Sequence, residues 1–400
     1  MSRTREDVQG LEAGPSEFSV IPGGPLFDLY RGTHLAGPAL EWAGRRIAVL
    51  SLFAWTPLLV LSVLSHRALG GVNEPFFKDL DVHVRLLVAL PLLLAGESPV
   101  HRRMRFVYWS FLDRGLVPAA AQPGFQAAAH SALRLRNSRW LEFALLLFVY
   151  VVGVGWIWNR QTALGGATWY RALTDTGPRL TVAGWWYVLV SLPLFQFILF
   201  RWYLRLALWA RFLWKVARCG LQLIPIHPDR CAGVGFLDEV VTATLPLAAA
   251  HGALFTGVAG AGLLFDGRSL AEYGPELAVL VVAVAAVTLG PLLVFTPVLF
   301  VAKHRALAEY GQLAQQYVRA FDHKWIRGSG EREALLGTAD IQSLADLGNS
   351  YQIVREMRLV PADRQTLLRL LVALAVPLVP LLFAIVPPSE LMTFLLKGLA

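Results

Sequence analysis

The densest chemistry in the sequence lies in His227-Pro228-Asp229-Arg230-Cys231-Ala232-Gly233-Val234-Gly235-Phe236-Leu237-Asp238-Glu239. A histidine two residues from an aspartate is equipped to bind a metal or to act as an acid–base pair. Gly233 and Gly235 allow a tight turn or close approach to another group. The competing reading is a structural loop held by Asp229–Arg230 ion pairs, with Asp238 and Glu239 favouring the dipole of the next helix. Cys219 and Cys231 are the only cysteines and form no C-x-x-C pair, so neither a zinc nor a redox motif is indicated. There is no Gly-rich phosphate loop, no HExxH and no G-x-S-x-G. No cofactor is expected, and no metal is assigned.

A second set of candidates comprises ionisable residues within or beside long apolar runs, where burying a charge in hydrocarbon costs several kcal/mol. Arg85, Glu97, Arg201 and Arg369 fall within reach of an interface, with Arg205 a turn beyond Arg201. His251 stands about 16 Å into its run at the helical rise, near a bilayer midplane. It reads either as a neutral interhelical histidine or as an ion relay. Arg201, Arg205, Arg211, Lys215 and Arg218 form one basic helical stripe. That stripe is expected to graze lipid headgroups, with an anion path as the alternative.

These residues need a frame, and composition supplies it. The 400 residues are 56% hydrophobic and 16% charged, with a mean hydropathy of +0.51. An average soluble domain carries roughly 25% charged residues. The balance excludes a disordered chain or a disulfide scaffold and points to an all-α, polytopic transmembrane bundle. Residues 1–41 hold no apolar core, so no cleavable signal peptide is expected. Seven runs are long enough to span: 47–64, 82–100, 141–158, 185–203, 240–265, 277–301 and 367–386. Of 36 Lys and Arg, 27 fall on one side of these runs, counting Arg201 near the end of its run, and 7 on the other, with Arg85 and Arg369 inside them. The positive-inside rule then predicts a cytoplasmic N-terminus. The +8 charge is accordingly read as topology and as attraction to anionic headgroups, not as a nucleic-acid surface.

The domain expectation is a cytoplasmic segment at 1–46, a six-span core at 47–302, cytoplasmic amphipathic helices at 303–366, and a seventh span with a short C-terminal helix at 367–400. That last helix is read as surface-lying or re-entrant. Trp156, Trp158, Trp185, Trp186 and Tyr187 are expected as outer anchors. Prolines occur in six of the seven spans, a pattern suited to kinked helices around a wet cavity. Ala249, Ala253, Gly257 and Ala261 predict a close-packing face. A helix from Asp340 to Met357, containing Asp346 and Asn349, is expected to dock over the inner mouth.

Three motifs carry a resemblance: HPDR-C-AG-V-GFL within Leu221–Leu237, HVRLLVALPLLLAGE (His83–Glu97) and LLGTADIQSLADLGNSYQIVREMRLVP (Leu335–Pro361). Together they resemble an uncharacterised family of bacterial multi-pass membrane proteins, over most of the chain from about Leu50 onward. Cys231-Ala232 departs from the smaller residues and Gly-Gly pair of that family. The resemblance implies a bacterial inner-membrane location and no activity.

The leading functional expectation is a channel or transporter for an ion or small solute. His251 and the midspan prolines would line its path, and the His227–Gly235 loop with Asp340–Tyr351 would gate it. The alternatives are an interfacial enzyme on a lipid or phosphorylated substrate, using His227, Asp229 and Arg230, or a sensor or scaffold. The expected partner is a bilayer with anionic cytoplasmic headgroups, and self-association is left open. An enzymatic role is not favoured.

Overall fold

The computed structural model describes residues 18–37, 40–158, 167–174, 177–265, 267–327 and 339–381. The side chains of Trp156 and Trp158, residues 159–166, Gly337, Thr338 and the expected C-terminal helix lie outside them. The described chain is all-α apart from one hairpin, β1 (Arg171–Thr174) and β2 (Gly177–Leu180), in which Arg171 pairs with Leu180.

A short helix α1 (Pro25–Gly32) precedes α2 (Ala43–Leu64). Helix α3 begins as Leu80–Val84, passes a π-helical turn at Arg85–Ala89 and continues as Leu90–Asp113. Then come α4 (Gln122–Arg136) and α5 (Arg139–Phe148, prolonged by Val149–Trp158). Helix α6 spans Val182–Ala217, α7 Leu245–Phe265 and α8 Leu270–Arg327. Helix α9 is Ala339–Arg355 and α10 is Arg364–Leu381.

Five helices are long and apolar enough to cross a membrane: α2, α6, α7, α8 and α10. The pair Ala119–Arg136 and Arg139–Gly155, bent by 50°, brings the number to six if it is one span. The expected span at 82–100 belongs to α3, which is not among them. Arg85, Glu97, His101 and Arg102 lower its hydropathy, yet Leu86, Leu90, Leu93, Glu97 and Val100 are all buried. Its buried face packs against α2 and α7, while Leu87 and Val88 on the other face are exposed.

The prolines mark local changes of helix type. Pro91 and Pro193 each follow a π-helical turn, Arg85–Ala89 and Tyr187–Ser191. Proline lacks an N–H and its ring crowds the carbonyl four residues back, here Leu87 and Leu189, so the preceding turn widens. Pro291 and Pro377 sit in tightened 3₁₀ turns instead. The Pro377 carbonyl accepts from Thr256 Oγ1 at 2.8 Å, which satisfies it from a neighbouring helix.

Helix α7 packs closely, but on a face shifted from the expected one. Ala253 and Gly257 are buried while Ala249 and Ala261 are half-buried. The tight contacts are at Gly252, where a Cβ would collide with the Leu374 carbonyl oxygen, and at Gly257, against the backbone of Asp81. Small residues here let backbones approach, the usual membrane-helix contact.

Candidate functional site

One turn into α2, Arg46 is fully buried, and it meets Glu97 of α3 at 3.2 Å. On α6, Arg205 donates to the same carboxylate at 2.7 Å. One turn earlier, Arg201 pairs with Glu142 of α5 at 3.0 Å. None of these five side chains is more than 9% exposed. Three guanidiniums against two carboxylates leave one uncompensated positive charge inside the bundle. Arg46 Nε and Nη1 and the Tyr30 hydroxyl have no hydrogen-bond partner among the described residues, although the Arg46 guanidinium lies 5.7 Å from the Tyr30 ring centroid.

The cluster is roofed by the segment before α1. Phe18 is fully buried between Tyr108 and Phe212, at centroid distances of 4.9 and 4.4 Å. The Ser19 carbonyl accepts from Arg136 at 2.6 Å, and the Gly23 carbonyl from Arg201 at 2.7 Å. Glu142 accepts from the Leu26 N–H at 2.9 Å, so a buried carboxylate caps α1. Gly23 and Gly24, at φ of 136° and 83°, make the turn a side chain would forbid. The 1–46 segment is thus part of the bundle from Phe18 onward. A cavity of about 570 Å³ opens beside this turn, lined by Gly23, Asp28, Arg31, Arg136, Asn137 and Arg139 among others. Past Gly23 and Arg136 it adjoins a narrow space lined by Glu142, Arg201 and Arg205.

The sequence singled out Glu97, Arg201 and Arg205 and missed Arg46, Glu142, Arg136 and the roof. The basic stripe of α6 divides: Arg201 and Arg205 are buried, Lys215 is half-buried, and Arg211 and Arg218 are exposed. Arg211 and Lys215 reach Ser131 of α4 at 2.9 and 3.2 Å, and Arg218 stacks on Trp214.

The other candidates separate. Arg85 pairs with Asp81 and donates to the Tyr187 hydroxyl at 2.5 Å, which joins the two π-helical turns at their first residues. Tyr187 is therefore a buried partner, not an outer anchor, whereas Trp185 is 55% exposed. Close by, Asp79 accepts from Trp169 Nε1 at 2.9 Å. Arg369 is exposed on α10, apart from the clusters.

His251 Nδ1 lies 2.7 Å from the Leu247 carbonyl, which can only accept, so Nδ1 carries the proton. Nε2 then accepts from the Tyr203 hydroxyl at 2.5 Å. Both nitrogens of the neutral ring are engaged. Exchanging His251 for Ala is expected to cost about 1–2 kcal/mol through the lost bonds, measured as a lower Tm, with any solute flux unchanged.

The His227–Gly235 loop is built around Asp229. Its Oδ1 accepts from Cys231 N (2.8 Å) and Gly233 N (3.1 Å), and its Oδ2 from Gly235 N (2.9 Å). His227 Nδ1 sits 3.0 Å from Oδ1. Arg230 pairs with Glu356 at 2.9 Å, which corrects the expected Asp229–Arg230 tie. Arg358 donates to the Asp229 carbonyl at 3.0 Å and, through its backbone N–H, to the Arg230 carbonyl at 2.7 Å. Burial raises the Asp229 carboxyl, but the three N–H groups and His227 outweigh it and hold it below its ordinary value. Burial lifts the Cys231 thiol to about 11, far from a reactive thiolate. Among the described residues no three His, Cys, Asp or Glu side chains are grouped to hold a metal.

A carboxyl depressed in the folded state adds stability above its unfolded value and loses it as pH falls through the folded one. The clasp of this loop on 354–363 should hold at neutral pH and loosen below about pH 4. Asp229→Asn should weaken it by about 2 kcal/mol at neutral pH and flatten that dependence. Hydrogen exchange over 227–237, corrected for intrinsic rate, reads this; equal protection at both pH values in the unaltered protein contradicts it.

The expected gate does not form as a unit. Asp340 accepts from Lys324 and Trp325 at 2.9 and 3.0 Å, at the far end of α8. Asp346 is exposed and accepts from Gln342, and Asn349 is exposed. The segment that grips the loop is Glu356–Ala362, beyond α9. No family model matches this chain, and no curated protein or solved structure matches it.

Proposed function

We propose that this chain is a seven-span protein of a bacterial inner membrane, N-terminus in the cytoplasm, that passes a small anion. The observation that carries the reading is the uncompensated positive charge of Arg46, Arg201 and Arg205, of which Arg201 and Arg205 line the narrow space adjoining an open, arginine-lined cavity. A buried guanidinium excess lowers the cost of bringing an anion out of water. The antiparallel run of the helices supports the alternation: α2 meets α6 at Arg46–Arg205 through Glu97 and at Ala54–Ser191. With the N-terminus in the cytoplasm, as the charge count suggests, the cavity end is the cytoplasmic one.

The test is flux through proteoliposomes, with chloride, nitrate, phosphate and small carboxylates. Anion flux that falls at least tenfold in Arg201→Gln or Arg205→Gln, with each variant still monodisperse, is the expected result. Absence of flux for all four, or flux indifferent to both substitutions, overturns it. On this reading His251 is a structural residue and not a relay.

A further inference from the structure

The cavity beside Gly23 has a chemistry of its own. Arg31 and Arg139 are exposed into solvent with no hydrogen bond or ion pair among the described residues. Arg136 is half-buried and committed on one side to the Ser19 carbonyl and Asn137 Oδ1. Three guanidiniums therefore face one carboxylate, Asp28, across the space. The first residues of two helices, Pro25 of α1 and Arg139 of α5, also line it. The α1 end is already capped by Glu142 through the Leu26 N–H, so the guanidiniums, not the helix ends, are what favours anionic oxygens here. A volume of about 570 Å³ takes a headgroup as well as its phosphate.

The surroundings bear on the source of that anion. Directly after Arg139, Trp140 is 81% exposed, followed on the same helix by Phe143 at 58% and Leu147 at 54%. An apolar ridge of this kind faces acyl chains, with Trp140 at headgroup level. The arginines thus stand where lipid phosphates lie.

We propose that this cavity is a binding site for a phosphate-bearing anion, the phosphodiester headgroup of an anionic lipid being the source its position favours. Guanidinium forks suit two phosphate oxygens at once, and free phosphate presents the same oxygens. The site does not depend on passage of any solute. A protein that binds and shows no flux keeps this site and loses the transport reading, and the reverse outcome separates them equally.

The full chain in phosphatidylcholine nanodiscs is titrated with phosphatidylglycerol or with inorganic phosphate, and native mass spectrometry and Tm are read. Retention of phosphatidylglycerol over phosphatidylcholine is expected, weakened about fivefold for each of Arg31→Gln and Arg139→Gln. Both residues are exposed and unpaired, unlike Arg136, which holds the roof. Asp28→Asn should strengthen retention, since it removes the one opposing charge. Protection by inorganic phosphate without lipid preference assigns the site to soluble phosphate. Should the arginine variants be unstable, Asp28→Asn decides: stronger retention supports the site and unchanged retention overturns it. Equal binding of phosphatidylcholine and phosphatidylglycerol with no response to phosphate overturns it as well.

Discussion

Glu97→Gln is expected to be the most damaging conservative change in the bundle, costing about 3–5 kcal/mol. The Glu97 carboxylate is 3% exposed and meets both Arg46 and Arg205. The amide is nearly isosteric, so the loss is electrostatic: two buried guanidiniums would remain beside a neutral group. Arg201 on the next turn of α6 adds to their repulsion. Tm in detergent and the yield of monodisperse protein read the effect. The double variant Glu97→Gln/Arg205→Gln should recover part of it, because one of the two stranded charges is then gone. A single variant as stable as the unaltered protein would mean the cluster is solvated, and would remove the basis for an uncompensated internal charge.

The second large effect is expected at Gly252. Its missing Cβ is occupied by the Leu374 carbonyl oxygen, with the Leu374 Cα 3.4 Å from that position. Because the obstacle is backbone, no rotamer change relieves it, and α7 must move off α10. The Thr256–Pro377 bond one turn on would stretch with it. Gly252→Val should cost about 3 kcal/mol. Gly290, at φ −50° with open space around it, is the control: Gly290→Ala should be neutral or slightly stabilising. If both substitutions lower Tm equally, close approach at Gly252 is not the cause.

Composition carried the all-α class and the apolar helices, because hydropathy acts through every residue of a run. It carried less of the cluster. Glu97, Arg201 and Arg205 stood out as charges in or beside apolar runs. Arg46 and Glu142 did not, since each lies within a few residues of a run's edge, where a charge ordinarily meets headgroups. In the fold those edges are covered by 18–24, so an apparent interface position is an interior one. The signal was present in Phe18-Ser19-Val20-Ile21-Pro22-Gly23-Gly24-Pro25, an apolar stretch closed by a Gly-Gly turn. For His227 and Asp229 the sequence left a metal or acid–base pair and a structural loop as alternatives. What spacing could not show is that the neighbouring N–H groups use up the carboxylate oxygens. That depends on the left-handed backbone at Arg230, Ala232 and Gly233.

The roof over the arginine cluster also fixes an order of events. Phe18–Gly24 emerge from the ribosome before any of their partners: Tyr108, Arg136, Glu142, Arg201 and Phe212 are all made later. The contacts of this segment are therefore complete only after α6 is made, because Arg201 and Phe212 belong to that helix. Its seat is built by later chain, partner by partner: Tyr108 first, then Arg136 and Glu142, and last the residues of α6.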